Sequence, residues 1–99
     1  MRSRFTKEMK LLREMLDKEG IEWEDASDFG RLPIERTHFS HRGYKWSVIH
    51  GYGTYGGFNR LSTKDPGLLE LMSNAVNNGC PEGWLTAKEV MTYVKGEAK

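Results

Sequence analysis

The sequence predicts an α+β fold: an N-terminal helix, a three- to four-stranded antiparallel meander, and a C-terminal helix packed on one sheet face. Three observations carry this. Apolar residues recur at helical spacing near the start of the chain, residues alternate in the middle with turn signals between the runs, and a capping signature stands near the end. The 99 residues suffice for one domain, 1–99, with a modest core and little room for a second lobe.

The first helix is predicted from Ser3, as its cap, to about Glu19, with Gly20 as its stop. Phe5, Met9, Leu12 and Leu16 form one buried stripe, widened by Leu11 and Met15, while Lys7, Lys10, Arg13 and Glu14 read as a solvated face. Ile21 to Trp23 opens a short strand that the acidic turn Glu24–Asp28 ends. After Pro33 a strand from Ile34 to Ser40 sets Glu35, Thr37 and Phe39 against Ile34, Arg36 and His38. His41-Arg42-Gly43 is the turn into the strand Tyr44–His50, with Tyr44, Trp46 and Val48 on one face and Lys45, Ser47 and Ile49 on the other. The glycine cluster that follows is expected to turn the chain into another strand, Thr54 to about Leu61. Asp65-Pro66-Gly67 favours a helix over 68–76, stopped at Asn77-Asn78-Gly79; a short edge strand, Leu68 to Met72, is the alternative. In the final helix Thr86 and Glu89 form a capping box with Leu85 and Val90 at the staple positions. It ends at Lys95-Gly96 and buries Val90, Met91 and Val94. The three tryptophans, Trp23, Trp46 and Trp84, are read as core.

Composition excludes several function classes. A formal charge of +1 argues against a general nucleic-acid coat or a polybasic membrane anchor, and sequence-specific nucleic-acid binding is not expected. No apolar run approaches the ~20 residues needed to span a bilayer, and the N-terminus has no apolar signal core, so a soluble protein of a reducing cytoplasm is expected. Cys80 is the single cysteine. Charge is nevertheless uneven: residues 17–28 hold six acids against Lys18, and residues 29–64 hold six bases against Glu35. That basic half contains the densest chemical feature of the chain, Gly51-Tyr-Gly-Thr-Tyr-Gly-Gly57.

Gly51-x-Gly53-x-x-Gly56 matches a dinucleotide fingerprint in letters, but no helix start follows it, as that site requires. The segment also resembles the glycine-rich loop of a protein kinase, yet His41-Arg42 is followed by Gly43 and 99 residues cannot hold a kinase. What survives is a glycine-rich turn able to present amides to an anion, set against a plain hairpin turn. His38, His41, His50 and Cys80 show no metal-ligand spacing, and Cys80 has no activating pattern, so no metal, cofactor or catalytic residue is assigned.

Trp46-Ser-Val-Ile-x-Gly51-x-Gly-Thr-Tyr-Gly-Gly57, Leu68-Leu-Glu70, Gly83-Trp-Leu-Thr-Ala87 and the opening Leu12-Arg-Glu-Met-Leu-Asp-Lys-Glu-Gly-Ile-Glu-Trp23 together resemble small orphan proteins encoded by phages and prophages of gut Firmicutes. Ser73 to Cys80 reads as an insertion relative to that pattern. The resemblance transfers no functional residue; it implies a setting in the host bacterial cytoplasm, where such proteins counter host defence by binding. The expected function is therefore non-enzymatic capture of a nucleotide-like anionic signal, in a site that can lie at a homo-oligomer interface. In that site Gly53, Gly56 and Gly57 allow backbone approach, Tyr52 and Tyr55 stack, and Arg42, Lys45 and Arg60 hold phosphate. The alternatives are a protein–protein inhibitor of a host immune effector or nuclease and, third, a small nucleotide-processing enzyme.

Overall fold

The computed structural model describes residues 5–30, 33–51, 53–55, 57 and 66–97. Its elements are α1 (Lys7–Lys18), β1 (Trp23–Asp25), β2 (Ile34–His41), β3 (Tyr44–Gly51), β4 (Leu69–Ser73), a short 3-10 turn (Asn77–Gly79), β5 (Glu82–Leu85) and α2 (Ala87–Val94). The five strands form one antiparallel sheet in chain order, β1-β2-β3-β4-β5, with both helices on one face. The α+β architecture is the one the sequence predicts, with five strands in the meander. No helix among the described residues is long and apolar enough to cross a membrane.

Helix α1 begins later than its sequence signal. Thr6, at an extended backbone angle, is the N-cap, and its hydroxyl accepts the Met9 amide at 3.2 Å; Ser3 lies outside the described residues. At the other end the Gly20 amide donates to Asp17 and the Ile21 amide to Leu16, the paired bonds of a Schellman stop; α2 closes identically through Gly96 and Glu97. Met9, Leu12 and Leu16 are buried as their spacing predicts, whereas Leu11 is exposed. The Thr86–Glu89 capping box is present in full. The Ala87 amide donates to Glu8 at 2.8 Å and Lys95 pairs with Glu19 at 2.6 Å, so the two helices lie side by side and parallel.

Arg13 departs from the expected solvated face. Its guanidinium lies 4.3 Å from the Phe5 ring centre and 4.6 Å from that of Trp23. It also donates to Thr37, Asp25 and the Arg36 carbonyl. The fork reaches the β1–β2 ladder, a geometry that turn-counting on an isolated helix does not reveal.

Alternation sorts the sheet. Glu35, Thr37, Phe39, Trp46, Val48, His50, Leu69, Leu71 and Ser73 are buried, with Phe39 stacked on Trp46 at 6.2 Å. Segment 68–76 resolves to the strand alternative. Leu69–Ser73 is an interior strand between β3 and β5, because the period-2 burial of Leu69 and Leu71, paired on both sides, outweighs the Asp-Pro cap signal. The expected strand 54–61 lies mostly outside the described residues; Thr54 and Tyr55 themselves form turn, and β3 pairs with β4. Trp46 is core and Trp23 half-buried. Trp84 is 58% exposed at φ 61°, a left-handed conformation costly for a bulky residue, beside the irregularity in the β4–β5 ladder.

Candidate functional site

The glycine-rich segment is a strap across the outer sheet face. Leaving β3 at Gly51, it folds on the Thr54 hydroxyl, which accepts the Gly51 amide and donates to the Gly51 carbonyl. Over β4, the Tyr55 amide donates to Glu70 Oε1 at 2.9 Å, and Glu70 is only 7% exposed. At β5 the Trp84 amide donates to the Tyr55 carbonyl at 3.2 Å. Close approach explains two glycines: a Cβ on Gly57 would strike the Gly51 carbonyl and the Thr54 hydroxyl, and one on Gly83 would strike the Tyr55 side chain and backbone. A carboxylate already occupies the Tyr55 amide over β4, and this disfavours a second anion there.

The described residues among those expected to share a phosphate site are distributed over the molecule. Tyr52, Gly56 and Arg60 lie outside the described residues. Gly53, Tyr55 and Gly57 belong to the strap, with Tyr55 57% exposed. Lys45 stands at the other end of β3, six residues and ~20 Å from Gly51 at the usual strand rise. Arg42 is at the β2–β3 turn, where it and Gly43 have φ of 57° and 80°, the sign pattern of a type I′ hairpin. Its guanidinium donates to the Val94 carbonyl at 3.3 Å and packs over Gly96, so it serves the C-terminal end of α2. Among the described residues, Arg42 and Lys45 therefore stand at the opposite end of β3 from Gly53, Tyr55 and Gly57 of the strap.

The other candidate groups lie elsewhere in the fold. His50 is 1% exposed, and its Nδ1 lies 2.7 Å from the Leu68 carbonyl, which requires the proton on Nδ1. Its Nε2 faces Glu35 Oε2 at 4.0 Å, while Glu35 Oε1 accepts the Thr6 amide and hydroxyl. This buried pair ties the start of α1 to β2, β3 and the approach to β4. Cys80 is exposed. Among the described residues, no three histidine, cysteine or carboxylate side chains gather as a metal site.

What remains is an open groove of about 1060 Å³ that runs from Glu19, Gly20 and Ile21 at the end of α1, past Trp23 and Trp46, onto the sheet face opposite the helices. Register places its lining in two rows. Glu24, His38, Ser47 and Met72 run across β1–β2–β3–β4, and Ser40 and Lys45 pair beside them, with Glu22 along the β1 side. Compared with known protein families, curated proteins and solved structures, the chain matches none.

Among the described residues, no hydrogen bond or ion pair engages the side chains of Glu22, Glu24, His38, Ser40, Lys45 or Ser47. Their charges and hydroxyls face solvent in the groove. Glu19, at its margin, is committed to Lys95, whose hydrogen bond and charge, with a smaller contribution from His41, lower its carboxyl pKa. Asp25 is lowered first by the hydroxyl and amide of Ser27 and then by Arg13. Of the groove residues, only Lys45 belongs to the set expected from sequence. The shared face of Lys45 and Ser47 was readable from alternation; their juxtaposition with β1 and β4 depends on register.

Proposed function

We propose that this chain is a non-enzymatic binding protein that captures a nucleotide-like anionic molecule in the open-face groove. One observation carries the reading: Lys45, Ser40, Ser47 and His38 form a contiguous block of an ammonium, two hydroxyls and an imidazole, without partners among the described residues, in an open groove. The phage counter-defence setting in a host bacterial cytoplasm, implied by the resemblance, belongs to this proposal, as does capture without turnover. A native mass spectrum of the protein purified from phage-challenged cells tests it. A bound mass in the nucleotide range, released intact on denaturation, supports capture; a bare chain from cells containing the nucleotide pool opposes it.

A second reading has its own observation. Tyr55, Met72 and Trp84 are 57%, 42% and 58% exposed, an unusual outlay of large side chains around β4 and β5. Aromatic and methionine side chains are enriched at protein interfaces, and Trp84 is held out on a strained backbone. This supports the protein–protein inhibitor alternative. Tight capture of one host protein, lost in Trp84→Ala and unaffected by nucleotides, is its expected signature.

A further inference from the structure

We infer that the groove is bipolar and selects a guanine nucleotide, with phosphate on the Lys45 side and the base on the Glu22–Glu24 side. This inference rests on the capture reading above and adds the chemistry of the ligand's far end.

The two ends differ in kind. On β2 and β3, Ser40 pairs with Lys45 and His38 with Ser47, giving an ammonium, two hydroxyls and an imidazole in one two-by-two block. All can donate to phosphate oxygens, and Lys45 supplies the charge. Glu22, immediately before β1, and Glu24, on β1, are exposed and both line the groove. As ionised carboxylates they only accept hydrogen bonds. A ligand that fills the groove must therefore be anionic at one end and a donor at the other. Two strand spacings, ~10 Å, separate β1 from Lys45 and Ser47 on β3, a span suited to one nucleotide, with His38, the cross-strand partner of Glu24, between the two ends.

A carboxylate discriminates among bases by their hydrogen-bonding edges. Guanine offers two adjacent donors, the ring N1–H and the exocyclic amine, which match the two oxygens of one carboxylate. In adenine and cytosine the amine stands beside a ring acceptor, and in uracil the single ring N–H stands between two carbonyls. Each places a lone pair against a carboxylate oxygen. The second carboxylate can accept from ribose hydroxyls. Guanine is the base that satisfies this wall without a repulsive contact.

Titration calorimetry with guanosine monophosphate, adenosine monophosphate and inorganic phosphate tests this on the full chain, Lys45→Ala and Glu24→Gln. Both substitutions are at exposed positions, and circular dichroism checks each fold. The guanine nucleotide is expected to bind at least about tenfold tighter than the adenine nucleotide, which corresponds to loss of one charge-assisted contact. Lys45→Ala should weaken both nucleotides, and Glu24→Gln should weaken only the guanine form, collapsing the discrimination. Equal affinity for the two nucleotides, unchanged in Glu24→Gln but reduced in Lys45→Ala, overturns the guanine inference and leaves capture standing. Absence of binding by both nucleotides, or nucleotide binding that Lys45→Ala does not alter, overturns the groove itself.

Discussion

Replacing Gly83 with alanine tests the strap in a way whose sign is diagnostic. Gly83 is not among the residues with positive φ, so an added methyl meets no backbone strain. At a compatible position, glycine to alanine stabilises by roughly 0.4–1 kcal/mol through the unfolded chain. Here the new Cβ would collide with the Tyr55 side chain and crowd its backbone, and the strap must lift. Lifting breaks the Trp84 amide bond to the Tyr55 carbonyl, about 0.5–1.5 kcal/mol, and the Tyr55 amide bond to the Glu70 carboxylate, about 1.5–3 kcal/mol. The expected net loss is about 1–4 kcal/mol, which for a chain of this size lowers the midpoint by roughly 4–8 °C per kcal/mol lost. Denaturant unfolding followed by circular dichroism measures it. A control, Gly53→Ala, has open space around its Cβ but a φ of 77°, so it should cost only about 1 kcal/mol. A Gly83→Ala variant as stable as the parent, or more stable, would refute the packing of the strap on β5.

Further expectations concern other parts of the fold. Arg13→Lys should destabilise nearly as much as Arg13→Ala, by about 2–4 kcal/mol in unfolding experiments, because a lysine cannot reproduce the fork between Thr37 and Asp25 or the stacking on two rings. Arg42→Ala should cost about 1 kcal/mol, from the lost contact at the end of α2, while leaving nucleotide affinity unchanged in the same titrations. Glu19 and Asp25 have lowered pKa values, so their contribution is present above the ordinary 4.5 and 3.8 and fades as pH falls through the lowered folded values; acid titration of stability should show a smaller drop in Glu19→Gln and Asp25→Asn. Lys95 is raised by its bond to Glu19, so its contribution holds below 10.5 and fades only as pH climbs through the raised value, an alkaline loss that Lys95→Met should abolish. Trp84→Asn should stabilise the isolated chain by about 1 kcal/mol by relieving a left-handed tryptophan, even as it removes any partner contact made there.

Legibility followed the range of the interactions. The α1 stripe, the Thr86–Glu89 box and the alternation in β2 and β3 are local, and each can be read within about two turns of helix or one strand. Leu68-Leu-Glu-Leu-Met is apolar enough for helix or strand, and only partners on both sides decide it. Strand β5 has four residues, one a glycine, next to a ladder irregularity, and so shows no clean alternation. The glycine-rich segment attracted a ligand reading because glycine density signals close approach. The close approach is real, but Gly57 closes on Gly51 and Thr54 of its own turn and Gly51 on the Pro33 carbonyl, while Tyr55 carries the contacts to Glu70, Gly83 and Trp84, which lie far along the chain. Arg42 is similar: its partner Val94 is 52 residues away. The groove was only partly legible, since alternation placed Lys45 with Ser47, whereas Glu24 and Met72 join them through pairings that no local pattern encodes.

The central claim is that ligand capture belongs to the open sheet face rather than to the glycine strap. Amide chemical-shift mapping during addition of guanosine monophosphate addresses it directly, since every strand of the groove reports separately. The account predicts saturable shifts at Glu24, His38, Ser40, Lys45 and Ser47, with Gly53, Thr54 and Tyr55 unmoved. Shifts centred on the strap, or none anywhere at saturating nucleotide, would contradict it.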